Sequence, residues 1–184
     1  YYMADASGFY QLMRVPPPAA GATSLPPAEA RTSGDVDFGG SAPGWRFGDQ
    51  GYAFLPDGRL AAHYPDRSSG RTVLLLMADT DDAEHARASK QELSSANAGL
   101  PHTFAGLAPS PEGSTLYMLG GSPDAASGVY AWKGIGGDAA QTAEMLACSS
   151  SATLEDGYVS VAQPVEFPSP LGSSYGFYYP PRNA

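Results

Sequence analysis

A loose internal repeat constrains this chain more than any other feature of its sequence. An acidic turn ending in Gly recurs between two strand-length stretches. The first copy runs Tyr1-Tyr-Met-Ala-Asp5-Ala-Ser-Gly8 and continues as Phe9-Tyr-Gln-Leu-Met-Arg-Val15. The second runs Leu60-Ala-Ala-His-Tyr-Pro-Asp66-Arg-Ser-Ser-Gly70, then Arg71-Thr-Val-Leu-Leu-Leu-Met77. The third runs Leu116-Tyr-Met-Leu-Gly-Gly-Ser-Pro-Asp124-Ala-Ala-Ser-Gly128, then Val129-Tyr-Ala-Trp132. Asp and Ser side chains bond the local backbone and Gly accepts a positive φ, so each copy reads as strand, turn, strand. The second and third copies share an upstream hairpin signal: an apolar strand, then Pro56-Asp-Gly58 or Pro111-Glu-Gly113, then a second strand. Gly58 and Gly113 are 55 positions apart, and Gly8, Gly70 and Gly128 are separated by 62 and 58. Four short antiparallel strands repeated at that interval make a propeller blade.

The fold class expected is therefore all-β: a partial β-propeller of two to three blades, followed by a β-hairpin. The 22 glycines and 17 prolines among 184 residues fit many turns and few long helices. Residues 1–15 read as the end of a blade and 35–158 as about two blades. Residues 16–34, Pro- and Ala-rich with little apolar surface, read as a flexible insertion. The polar, Ala-rich stretch 79–98 is open between a short surface helix over 83–93 and a solvated loop. Residues 159–184 close the chain with two alternating segments, 161–167 and 174–179, around the turn-forming Pro168-Ser-Pro-Leu-Gly172.

Charge and length exclude some partners. A net charge of −9 with scattered basic residues argues against nucleic acid. The longest apolar run, 73–78, is far too short to span a bilayer, so no membrane partner is expected. The single cysteine, Cys148, has no partner for an internal disulfide, which fits a reducing, intracellular compartment (cytoplasm or organelle stroma). It sits in a Ser-rich stretch with no His nearby and reads as a half-buried residue at a strand end.

Several motifs imitate sites. Gly172-Ser-Ser174-Tyr-Gly176 matches the G-x-S-x-G nucleophile elbow, which needs a sharp strand-to-helix turn and an acid and His later in the chain. Neither follows, and Pro180-Pro181 blocks a helix, so Ser174 reads as a hairpin residue. Gly134-Ile-Gly136-Gly-Asp-Ala139, with Glu155 and Asp156 downstream, fits a relaxed dinucleotide pattern but lacks the βαβ setting that gives it meaning. Asp79-Thr-Asp81-Asp82-Ala-Glu84-His85 fails the calcium-loop spacing. His63, His85 and His102 lie too far apart in sequence for a metal-site motif, and His63 reads as a surface or blade-edge residue. No catalytic, metal or cofactor-binding residue is expected within the chain.

A family resemblance gathers these pieces. Asp37-Phe-Gly-Gly with Gly44-Trp45-Arg-Phe-Gly48, then Phe54-Leu-Pro-Asp-Gly58, Leu119-Gly-Gly-Ser-Pro123, Pro164-Val-Glu-Phe-Pro168 and Phe177-Tyr-Tyr-Pro-Pro181 follow one another. In content and order they resemble the prolyl oligopeptidase family of serine peptidases, in its acylaminoacyl-peptidase and dipeptidyl-aminopeptidase-like branch. The last two motifs resemble the junction where a β-propeller hands over to an α/β-hydrolase domain. The resemblance implies an internal piece of a longer peptidase, inert by itself. The parent's propeller would gate peptide substrates, and its triad would lie in a hydrolase domain beyond these residues. The aromatics Trp45, Phe47, Tyr52 and Phe54 are then expected to pack between blades. A free-standing propeller-type interaction module is the competing expectation, and a nucleotide-binding enzyme a third.

Overall fold

The computed structural model describes residues 1–39, 51–133, 135, 141–152 and 155–182. They form four antiparallel sheets in chain order. The first holds β1 (Tyr2–Ala4), β2 (Gln11–Arg14) and β3 (Glu29–Ala30). The second is a four-stranded blade of β4 (Tyr52–Phe54), β5 (Arg59–Asp66), β6 (Arg71–Ala78) and β7 (Gln91–Leu93), with the helix α1 (Ala83–Ala88) between its last two strands. The third repeats this order with β8 (Thr103–Pro109), β9 (Leu116–Ser122), β10 (Ala125–Trp132) and β11 (Ala143–Cys148). The fourth is a hairpin of β12 (Gln163–Ser169) and β13 (Gly172–Tyr178). The all-β, partial propeller architecture read from the repeat is what the chain adopts.

The turn chemistry works as its residues dictate in two copies of the repeat. Gly8 and Gly70 both take positive φ, and their N–H groups bond back to the carbonyls of Asp5 and Asp66. The Pro-Asp-Gly and Pro-Glu-Gly turns also coincide. Gly58 and Gly113 take φ of +82° and +75°, and each closes onto the residue just before its proline, Leu55 or Ser110. The third acidic turn is displaced from where the repeat puts it. Pro123 and Asp124 make the turn, whereas Ser127 and Gly128 lie within β10, with Gly128 opposite Gly120 and Cys148. A bulge between Ala125 and Gly128 absorbs the slack.

Two other expectations change in detail. The helix occupies only the first half of 83–93; after Ser89 the chain turns and Gln91–Leu93 adds the fourth blade strand, burying Leu93. Its backbone ladder to Leu74, Leu75 and Leu76 outweighs its polar composition. Within 16–34, Glu29–Ala30 pairs with β2, and Arg31 and Thr32 are buried, so the end of the Pro-rich stretch packs with the first sheet. Thr32 Oγ1 donates to Gln11 and accepts the Leu12 N–H, which satisfies both polar groups inside.

Two cores hold the sheets together. Leu12 and Phe38 of the first unit meet Leu60, Ala62, Leu75 and Met77 of the second. The opposite face of the second sheet (Ala61, Leu74, Leu76) meets Phe104, Leu107, Leu116, Met118 and Trp132 of the third. The central blade is thus covered on both sides, which accounts for the unbroken apolar run in β6. Tyr52 and Phe54 also serve packing between units: Phe54 stands edge-on to Tyr1 at 5.0 Å, and the Tyr52 hydroxyl donates to the Tyr1 carbonyl. Trp45 and Phe47 lie outside the described residues.

Candidate functional site

The blades have two ends, and the two turn types sort between them. At one end the Pro56 and Pro111 hairpins approach each other; a Cβ on Gly113 would lie 3.3 Å from Pro56. At the other end stand the acidic turns. There the Arg67 guanidinium lies 5.3 Å from the centre of the Phe9 ring, linking the first turn to the second. The closing hairpin reaches this same end: a Cβ on Gly70 would lie 2.8 Å from the Phe177 ring. Gly70, at φ +68°, therefore has two reasons to carry no side chain.

Two open hollows lie by the acidic turns, one of them against the hairpin. One, of about 410 Å³, lies between the hairpin and the second acidic turn and is lined by Val36, Asp66, Arg67, Glu166 and Tyr175. Burial works against the Asp66 carboxylate, but hydrogen bonds from Ser69 and Ser68 hold its pKa below the usual range. The other, of about 950 Å³, lies by the third turn and is lined by Asp124, Cys148, Val161 and Arg182. The Ser122 hydroxyl donates to Asp124 and lowers its pKa. The carboxylates on both turns are thus kept charged by their own turn, which makes this end polar while leaving them structurally employed.

The described residues that suggested chemistry in the sequence lie apart from one another, each in its own setting. Ser174 lies in β13 opposite Phe167, in a ladder that runs without interruption from Gly172 to Tyr178. An elbow needs its serine at a strand-to-helix turn, and here the turn is the two-residue Pro170-Leu171, tighter than the sequence suggested. The dinucleotide-like glycines Gly134 and Gly136 and Ala139 lie outside the described residues. The strands on either side, β10 and β11, pair antiparallel with Trp132 opposite Ala143, whereas a dinucleotide fold requires parallel strands. The acidic stretch is tied up one residue at a time. Asp79 accepts from the Tyr1 hydroxyl, Asp81 pairs with Arg14, and Asp82 caps α1 by accepting from the Glu84 and His85 N–H groups. Among the described residues no group of three or more His, Cys, Asp or Glu could hold a metal ion.

Two residues differ from their sequence reading. His63 is not at a surface or blade edge: it is 3% exposed, facing Phe104 of the next blade with ring centres 6.1 Å apart. Burial alone pushes its pKa down to about 4. The alignment of hairpins sets His63 at the position of Leu119 in the following blade, which is 61% exposed, so the burial of His63 comes from the neighbouring blade and not from its own strand. Cys148 does end a strand, but it is exposed, with its thiol directed to the Ser150 carbonyl. No helix among the described residues is long and apolar enough to cross a membrane.

The chain matches two solved structures along almost its whole length. With a puromycin-hydrolysing peptidase of Mycobacterium tuberculosis it shares 23% identity at a TM-score of 0.68, over 98% of this chain and 24% of that one. With a serine-to-alanine variant of a puromycin hydrolase complexed with PGG it shares 24% identity at a TM-score of 0.64, over 97% of this chain and 23% of that one. The chain thus spans about a quarter of the length of the structures it matches. No family model and no curated protein matches it. At this level of identity the likeness establishes the fold: the chain folds as a quarter-length, blade-and-hairpin segment of these hydrolases does.

Proposed function

We propose that the chain is the C-terminal part of the β-propeller of a prolyl oligopeptidase-family serine peptidase, ending in the hairpin that leads into an α/β-hydrolase domain. One observation carries the reading. Two four-stranded blades and a closing hairpin, with the family's motifs in order along them, match a quarter of a peptidase over 98% of this chain. The aromatic hairpin supports it further: Phe167, Tyr175, Phe177, Tyr178 and Tyr179 are all about half exposed, as suits strands that begin another domain.

In this reading the parent cleaves peptides, and its branch is the acylaminoacyl-peptidase and dipeptidyl-aminopeptidase-like one. Nucleophile, base and acid belong to the hydrolase domain. The blades contribute a rigid wall that admits peptides by size, which suits sheets cemented by large interlocking apolar cores and not by mobile loops. The partners are peptide substrates and the hydrolase domain, with no cofactor, and the single cysteine supports an intracellular parent.

The adjoining coding sequence tests this. It should encode a G-x-S-x-G elbow followed by Asp and then His; a stop codon, or a downstream domain without that order, would sink the peptidase reading in favour of a free-standing propeller module. A thermal-shift assay with NAD and ATP separates the nucleotide-binding alternative, since the blades should gain no stability from either.

A further inference from the structure

Between β2 and β3 the chain makes an excursion that is tied at both ends. Arg14, at the end of β2, pairs with Asp81. Arg31, just after β3, donates from its guanidinium to the Thr80 carbonyl at 2.8 Å. Both anchors fall on the connection between β6 and α1, at the end of the sheets opposite the acidic turns. Phe177 of the closing hairpin meets Gly70 at the acidic-turn end, so the excursion stands away from the hairpin. At its tip the Ala22 N–H bonds back to the Ala19 carbonyl, with Gly21 at φ +82°.

The returning arm, Ser24-Leu-Pro-Pro-Ala28, has the chemistry of polyproline II. A proline fixes its own φ near about −65° and pushes the residue before it out of the helical region. Leu25, Pro26 and Pro27 are therefore all held extended, and the arm belongs to neither helix nor strand. A polyproline II helix repeats every three residues and leaves its carbonyls free to accept hydrogen bonds. Burial follows that period: Pro26 is half-buried, whereas Ser24, Leu25, Pro27 and Ala28 are exposed, Leu25 at 69%. One edge of the three-sided helix rests on the protein and two face outward.

The spacing narrows the partner. No two prolines within either arm stand three apart, so the PxxP spacing of SH3 ligands is absent. What the arm presents instead is a large apolar side chain directly ahead of two prolines. We infer that Leu25-Pro26-Pro27 is a docking segment for a protein domain with an aromatic-lined groove and an adjoining pocket for Leu25. Aromatic faces of the groove pack on Pro27, and indole or phenol donors reach the free carbonyls. The tied ends and fixed φ values cut the ordering cost of binding. The inference holds whether or not the chain belongs to a peptidase.

An isotope-labelled EVH1 domain, whose aromatic groove reads prolines, is titrated with the chain while its amide spectrum is followed, and a labelled SH3 domain is titrated in parallel. The EVH1 domain should show saturable shifts confined to its groove, and the SH3 domain none. Leu25→Ser and Pro27→Ala should each weaken binding at least about tenfold. Pro18→Ala, exposed in the other arm, should leave it unchanged, and circular dichroism should report the same strand content throughout. An EVH1 domain that does not respond, binding that survives Leu25→Ser, or binding by the SH3 domain alone overturns the inference.

Discussion

The central blade and the last blade are built on the same plan and live in different surroundings. In the central blade β5 and β6 are covered from both sides: Leu60 and Met77 face the first sheet, and Leu74 and Leu76 face the third. In the last blade Leu116, Met118 and Trp132 are buried against the central blade, while Tyr117, Leu119 and Val129 on the other face are exposed. The hairpins align Ala61 with Tyr117, His63 with Leu119, Leu74 with Val129 and Leu76 with Ala131. Tyr117, Leu119 and Val129 are thus exposed where their counterparts in the central blade are buried, while Ala131 is buried like Leu76. Its outer face carries apolar residues at the positions that the central blade covers with the next sheet.

The largest expected effect separates the two faces of the last blade. Trp132 is fully buried and its indole N–H donates to the Ala98 carbonyl at 2.9 Å. Trp132→Ala should cost about 4 kcal/mol in urea unfolding. Leu119→Ala, at a side chain 61% exposed, should stay within about 0.5 kcal/mol. Equal costs would mean that the outer face is packed after all.

His63 sharpens the comparison through pH. Its pKa falls from an ordinary 6.5 to about 4, so the unfolded chain takes up a proton that the folded one refuses. The stability due to the neutral ring is complete above pH 6.5 and is lost as pH falls from there toward 4. Between pH 7 and pH 5 the wild type should lose about 2 kcal/mol more than His63→Leu, which carries the residue of the equivalent position in the next blade. Parallel losses in the two proteins would place the imidazole in contact with water.

A smaller effect reports on the docking of the hairpin. Gly70→Ala should cost about 1–2 kcal/mol from the positive φ, plus whatever the Phe177 ring resists. In a double-mutant cycle Phe177→Ala should recover only the second part. Strict additivity would mean that the hairpin does not rest on this turn.

Much of the fold was legible because turns are written locally. Pro56-Asp-Gly58, Pro111-Glu-Gly113 and the first two acidic turns carry their own backbone chemistry, and the hairpin alternates cleanly on either side of its turn. What failed had causes outside the local sequence. Alternation says which side of a strand is apolar only when one side is wet, so it misplaced His63 in a blade covered on both faces. β7 was missed because its three residues, Gln91-Glu-Leu93, are recruited by the edge of β6 and not by their own propensity. The third turn moved because Pro123 can start a turn earlier than the Ser-Gly pair suggests. As for a site, the sequence pointed away from one, and Ser174, which fits the nucleophile pattern, lies in a paired strand and not at a strand-to-helix turn.

A fluorophosphonate probe tests the central claim most directly, applied in parallel to this chain, to its Ser174→Ala variant and to the longer polypeptide proposed to contain it. The expected result is labelling of the longer protein alone. Labelling of this chain that disappears in Ser174→Ala would contradict the account, because it would put the reactive serine inside the hairpin and not in a domain beyond it.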